Sequence, residues 1–262
     1  MNKYNIYLST NAGKVRAVNE DSFVINGITK DTKKSTENLK GKSLKQPVLC
    51  GVFDGMGGEK GGFEASDTAA LVAAEYYKYL SSNKALPDDS IDDYVNNCSS
   101  LIKEMLAENN LTRGGTTFAL AYFYNDSVYL YSMGDSRIYL YRSGILQRIT
   151  RDHTLAQKKF EANIFSFEEA QNSSESHILT RHLGMDTDSP DYKAESYRQI
   201  SLAPDDKLLI CSDGLYDMCG DKQIESILSA KNAPYSIELM KAALDNGGID
   251  NITCMVIEPI KD

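Results

Sequence analysis

The 262 residues include only three histidines (His153, His177, His182) and no H-E-x-x-H, and the five cysteines (Cys50, Cys98, Cys211, Cys219, Cys254) form no C-x-x-C pair. Zinc held by His and Cys is therefore not expected. The cysteines are odd in number, widely spaced and mostly set in apolar stretches, which predicts reduced core thiols rather than a disulfide framework. No apolar run, such as Thr117–Tyr124 or Ala69–Ala74, approaches the ~20 residues that span a bilayer. The first residues, Met1 to Tyr7, lack the apolar stretch and cleavage site of a secretory signal, so a cytoplasmic location is expected. Positive charge is also scarce: 28 Lys+Arg stand against 37 Asp+Glu, a formal charge of −9. Nucleic-acid binders and proteins adsorbed on anionic lipid need a basic face, so neither class is expected.

What is present is ample core material, 42% hydrophobic residues, and a clear grouping of elements. Short β-type runs occupy Tyr4–Leu8, Phe23–Ile25 and Val48–Phe53. Helical spacing then runs from Phe63 to Leu80 and, after Pro87, from Ile91 to Leu106, with Asp88, Asp89 and Ser90 offering N-cap chemistry. Four runs follow, Thr116–Tyr124, Ser127–Met133, Arg137–Tyr141 and Ile145–Ile149, and their separators Asn125-Asp126, Gly134-Asp135 and Ser143-Gly144 read as hairpin turns. Strands return at Glu195–Leu202, Lys207–Ser212 and Thr253–Glu258, with helices at Lys222–Ala230 and Ser236–Asn246. Strands grouped with strands and helices with helices predict an α+β domain with antiparallel sheet, one domain over 1–262. Two segments depart from this pattern. Residues 29–46 carry six lysines and read as a solvated, mobile loop or a contact for an anionic substrate protein, and 151–189 is polar and weakly helical, an excursion from the core.

Three hydrophobic strands stop at an aspartate beside a glycine: Val52-Phe53-Asp54-Gly55, Met133-Gly134-Asp135 and Cys211-Ser212-Asp213-Gly214; Asp250-Asn251 precedes the last strand. Each alone is an ordinary turn. Four such aspartates on one sheet edge would repel one another and need cations to offset the repulsion. An all-carboxylate set selects hard ions, Mg²⁺ or Mn²⁺, and no EF-hand loop argues for calcium. Two such ions about 3.5–4 Å apart lower the pKa of a bridging water and present it to phosphorus, so phosphoryl hydrolysis is the implied reaction.

Seven segments, Arg16–Ser22, Val52–Gly58, Gly115–Thr117, Gly134–Arg137, Leu179–Gly184, Cys211–Leu215 and Asp250–Thr253, resemble in order the motif series of the metal-dependent type 2C Ser/Thr protein phosphatases, bacterial type. The resemblance implies a four-layer α-β-β-α sandwich, two antiparallel sheets flanked by helix pairs, with two Mn²⁺ or Mg²⁺ ions at one end. It implies that Asp54 bridges the metals, the Gly55 carbonyl binds one, and Asp213 and Asp250 bind the other. Glu20 and Asp21 would order nearby water, Asp135 with Asp213 would complete a third, weaker site, and Arg16 would bind the substrate phosphate. Competing readings are an ion pair of Arg16 with Glu20 or Asp21, and a turn-forming role for Asp135. Met56 stands where eukaryotic-type members have a proton-donating His, and a thioether donates no proton. The expected activity is hydrolysis of phosphoserine and phosphothreonine by direct attack of a bridging hydroxide, without a phosphoenzyme. Its partners would be phosphorylated substrates of a Ser/Thr kinase, its state a monomer, and 151–189 a flap beside the site. A catalytically silent phosphoprotein binder and a phosphatase for small metabolites are the alternatives.

Overall fold

The computed structural model describes residues 2–186, 188, 192–231 and 233–260. In chain order the strands are β1 (Lys3–Asn11), β2 (Ser22–Ile25), β3 (Ile28–Thr29), β4 (Thr36–Lys45), β5 (Val48–Phe53), β6 (Gly55–Met56), β7 (Gly115–Thr116), β8 (Phe118–Tyr124), β9 (Ser127–Met133), β10 (Arg137–Arg142), β11 (Ile145–Arg148), β12 (Glu195–Ile200), β13 (Lys207–Cys211) and β14 (Ile252–Pro259). The helices are α1 (Glu59–Asn83), α2 (Ile91–Glu108), α3 (Leu155–Glu161), α4 (Phe167–Asn172), α5 (Asp213–Tyr216), α6 (Asp221–Ser229) and α7 (Tyr235–Asp245). One sheet has the order β11-β10-β13-β14-β1-β4 and the other β12-β9-β8-β5-β2-β3, with antiparallel pairing between all the described neighbours.

The central strands read as continuous apolar runs because both of their faces are buried. On β8, Phe118, Leu120 and Tyr122 face α1 and α2, whereas Ala119, Ala121 and Phe123 face the other sheet. On β13, Leu208 and Ile210 point between the sheets while Leu209 and Cys211 point to α6 and α7. Three hydrophobic cores result, which makes the fold the expected four-layer α-β-β-α sandwich. All five cysteines are free and buried within these layers. Helix α1 lines its core with Ala65, Ala69, Ala73 and Leu80, and α2 with Tyr94, Val95, Cys98 and Ile102, at the spacing of one helical face. Ser90 stands at the N-cap of α2, yet its hydroxyl bonds the Tyr76 hydroxyl at 3.0 Å instead of capping.

Two expectations are corrected. Residues 29–46 are not a loop: Thr36–Lys45 forms β4, which pairs with β1 along the edge of the first sheet. Leu39 and Leu44 pack against the inter-sheet core, and lysines on such an edge discourage pairing with further chains. Nor is every lysine of this stretch solvated, since Lys30 is 5% exposed. Gly134-Asp135 is not a hairpin turn. β9 and β10 belong to different sheets, so Gly134–Ser136 is a crossover between them, and Gly134 takes φ +103 there, a conformation L-residues rarely adopt. Asn125-Asp126 and Ser143-Gly144 are hairpin turns, with positive φ at each residue. Segment 151–189 contains α3, α4 and a 3-10 turn, Ser174–His177, tied back by the Thr154–Leu179 bridge and the Thr180 N–H to His153 carbonyl bond. Residues 187 and 189 of that flap lie outside the described residues.

Candidate functional site

Ends of strands from both sheets meet at one end of the sandwich. Asp54 leaves β5 with its backbone pinned: its N–H donates to Thr117 Oγ1 (3.1 Å), and its carbonyl accepts from the Thr117 N–H (2.9 Å) and Thr116 Oγ1 (2.8 Å). Asp135 sits on the crossover from β9, where its carbonyl accepts from the Tyr216 hydroxyl at 3.1 Å. Asp213 opens α5 directly after β13 and Ser212, and Asp250 occupies the turn before β14, its Oδ1 accepting the Asn251 N–H at 2.8 Å. These four aspartates, with Arg16 and Glu20, line one cleft of about 640 Å³. Gly55 and Met56 belong to the same wall; a Cβ on Gly55 would lie 2.2 Å from the Gly62 carbonyl oxygen, so only glycine lets α1 approach this closely.

Burial, and then the Asp213 charge, push the Asp54 and Asp135 carboxyls well above the usual carboxylate range. Asp21 is fully buried and is pushed up to about 7, chiefly by that burial; Ser212 Oγ donates to its Oδ2 at 2.7 Å, whereas its buried Oδ1 has no hydrogen-bond partner. Crowded carboxylates and an orphaned buried oxygen form an incomplete electrostatic arrangement, and a hard, oxygen-ligated divalent cation is the group that fits it. Glu20 is held from two sides: its N–H donates to Asn251 Oδ1 at 2.8 Å, and Ser66 Oγ donates to its carbonyl. Behind it, the buried Lys30 ammonium donates to the carbonyls of Asn19 (2.7 Å) and Asp21.

Arg16 forms an ion pair with Asp250, Nη2 to Oδ2 at 2.8 Å, and the charges of Glu20 and Asp213 also act on it. Arg137 braces the crossover, bonding both oxygens of Asp152 (3.1 and 2.7 Å) and stacking on the Tyr216 ring, 3.4 Å from its centroid. His153 is structural: Nδ1 accepts the Gly134 N–H at 2.9 Å, and Nε2 meets Glu195 at 2.7 Å. His182 holds the Leu183 carbonyl at 2.9 Å.

The residue that sequence reasoning missed is His177. Its Nδ1 stands 3.9 Å from Asp213 and 3.8 Å from Asp217, and the imidazole is pushed up to about 9, first by Asp213. It lies in a polar segment without a motif, and the one available signal was its place on the expected flap.

A family model described as Protein phosphatase 2C matches residues 38–250. The chain belongs to the protein phosphatase 2C family. It is 29% identical over 256 residues to a serine/threonine phosphatase, stp, of Listeria innocua, covering 95% of this chain and 93% of that one. It is 31% identical over 219 residues to the serine/threonine protein phosphatase PstP of Mycobacterium tuberculosis, covering 81% of this chain and 40% of PstP. The S. agalactiae serine/threonine phosphatase structure superposes with a TM-score of 0.79 at 25% identity, covering 97% and 99% of the two chains. The catalytic domain of PstP, solved in complex with 2 manganese ions, gives 0.75 at 27% identity, covering 98% of this chain and 100% of that one. The activity class of the chain is accordingly that of a protein serine/threonine phosphatase. Among the described residues, no helix is long and apolar enough to cross a membrane.

Proposed function

We propose that this phosphatase hydrolyses phosphoserine and phosphothreonine in proteins at a divalent-metal centre held by Asp54, the Gly55 carbonyl, Asp213 and Asp250, by direct attack of water and without a covalent phosphoenzyme. The observation that carries the reading is the convergence of four aspartates from separate strand ends on one cleft, two of them pushed well up by burial and by the charge of Asp213. When bound, two Mn²⁺ or Mg²⁺ ions supply Lewis acidity toward the phosphate and an acidified water at neutral pH. Asp135 with Asp213 offers a third, weaker position. The manganese-bound PstP domain supports this use of the site by likeness.

The chain's own groups do the rest. Arg16, 56% exposed at the rim, presents a planar fork that exchanges the Asp250 oxygen for phosphate oxygens. Glu20 and Asp21, fixed by Asn251, Ser66, Lys30 and Ser212, orient water beside the centre. Among the described residues no cysteine or serine lines the cleft, and the Thr117 hydroxyl is engaged with Ser136 Oγ at 2.6 Å, which favours direct hydrolysis over a hydroxyl or thiol nucleophile. Met56 donates no proton to the leaving alkoxide. Phosphorylated products of a Ser/Thr kinase are the substrates, met by a monomer whose flap contacts them.

The test is hydrolysis of an aryl phosphate with Mn²⁺, with Mg²⁺ and with chelator, by the parent chain and by Asp54→Asn and Asp213→Asn. Activity that survives chelation or both substitutions overturns the metal centre. A phosphopeptide panel against small phosphorylated metabolites then decides the substrate class.

A further inference from the structure

The cleft has a rim that the hydrolysis itself does not use. Val15 and Ile249 are 68% and 55% exposed, each one residue before a member of the Arg16–Asp250 pair, and both line the cleft. They are not carried on loose loops. The Lys14 N–H donates to the Gly248 carbonyl at 2.7 Å, Arg16 bonds Asp250 at 2.8 Å, and Asn251 Nδ2 donates to the carbonyls of Ala12 (3.0 Å) and Val18 (2.9 Å). These bonds fasten the turn after β1 to the turn before β14, so the backbone that carries two exposed branched aliphatic side chains is held beside the phosphate-binding group. Leu179, on the flap, contributes another apolar side chain to the same cleft.

We infer that Val15 and Ile249 form a rigid apolar ridge that selects phosphosites with an apolar residue immediately beside the phosphoserine or phosphothreonine. This rests on the phosphatase reading above. An extended substrate whose phosphate reaches Arg16 must lay an adjacent side chain along the ridge, and an aliphatic one removes the ridge from water without ordering a loop first. A lysine or glutamate laid along these aliphatic side chains would lose hydration without gaining an ion pair from the ridge itself.

The experiment uses four phosphothreonine peptides, identical except for Leu, Gly, Lys or Glu on both sides of the phosphoresidue, with the Mn²⁺-loaded parent, Val15→Ser/Ile249→Ser and, separately, Leu179→Ser. In the parent, the Leu-flanked peptide should exceed the Gly-flanked one in kcat/KM by about fivefold or more, through KM. In the double variant that ratio should fall below about twofold. A parent preference for Lys or Glu flanks, equal turnover of all four peptides, or an undiminished Leu preference in the double variant overturns the ridge and leaves the phosphatase reading standing. Failure of the parent to hydrolyse any of the four overturns the phosphatase reading and the ridge with it. Both ridge residues are exposed, and a thermal midpoint of the double variant within a few degrees of the parent's excludes misfolding as the cause.

Discussion

Arg16 and Asp250 hold each other at 2.8 Å across the mouth of the cleft, so the group assigned to phosphate and a group assigned to metal are bonded partners. Both are partly exposed, and the pair is therefore cheap to open. Substrate and metal binding pull the two ends apart in complementary senses: phosphate recruits the guanidinium, and metal recruits the carboxylate. Arg16→Ala should raise KM for phosphopeptides by about tenfold or more, the worth of a charge-assisted hydrogen bond, without raising the Mn²⁺ concentration needed for half-maximal activity. A higher Mn²⁺ requirement in this variant would show that Arg16 supports the metal rather than the phosphate.

Mn²⁺ should stabilise the chain by relieving the repulsion among Asp54, Asp135 and Asp213. At a hundredfold excess over Kd one site contributes about 2.7 kcal/mol, which for a chain of this size raises the thermal midpoint by about 5–10 °C. Differential scanning fluorimetry with Mn²⁺ and with chelator measures it. Asp54→Asn and Asp213→Asn should abolish the shift, and a full shift in both would place the ions elsewhere.

Lys30→Met keeps the length of the side chain, and with it the packing near the Phe63 ring, but removes the ammonium that binds the Asn19 and Asp21 carbonyls. Two buried carbonyls lose their donor at about 1–3 kcal/mol each. A loss of about 2–6 kcal/mol in urea denaturation is the expected outcome, and an unchanged midpoint would mean that the contact carries no stability.

His153 is held below its ordinary pKa, first by burial, and its Nδ1 accepts a hydrogen bond that only the neutral ring can take. The unfolded chain therefore binds the proton more readily, and the stability that the neutral ring provides is present above about pH 6.5 and lost as the pH falls through the lower folded value. The denaturation midpoint of the parent should drop between pH 7 and pH 5 more steeply than that of His153→Gln. Parallel profiles would remove His153 from the acid response.

The layered fold was legible because its signals are local: helix spacing in Ala65–Leu80, unbroken apolar runs such as Leu208–Cys211, and turn chemistry at Asn125-Asp126. The strand-end aspartates were legible as a recurrence. What escaped depends on long-range pairing. β4 has few apolar residues because it is an edge strand, and its signal, Leu39 and Leu44 among lysines, resembles that of a loop. The Gly134-Asp135 crossover looks like a hairpin turn, since the residues that bend a chain are the same whether the next strand joins the same sheet or another. His177 reaches the cleft only through the fold of the flap, and Arg16 finds Asp250 across 234 positions, a choice that no local pattern encodes.

The crossover also has a mechanical meaning. Asp54 is hung from one sheet, Asp213 and Asp250 from the other, and Asp135 sits on the link between them, so the separation of Asp54 from Asp213 and Asp250 follows the gap between the sheets. That gap is set by the middle layer, the core that Ala119 and Ala121 share with Ile210 and Met255. A methylene added there would act as a shim, prising Asp54 away from Asp213 and Asp250 from inside the protein, and the chemistry would register a change in packing that touches none of its own residues.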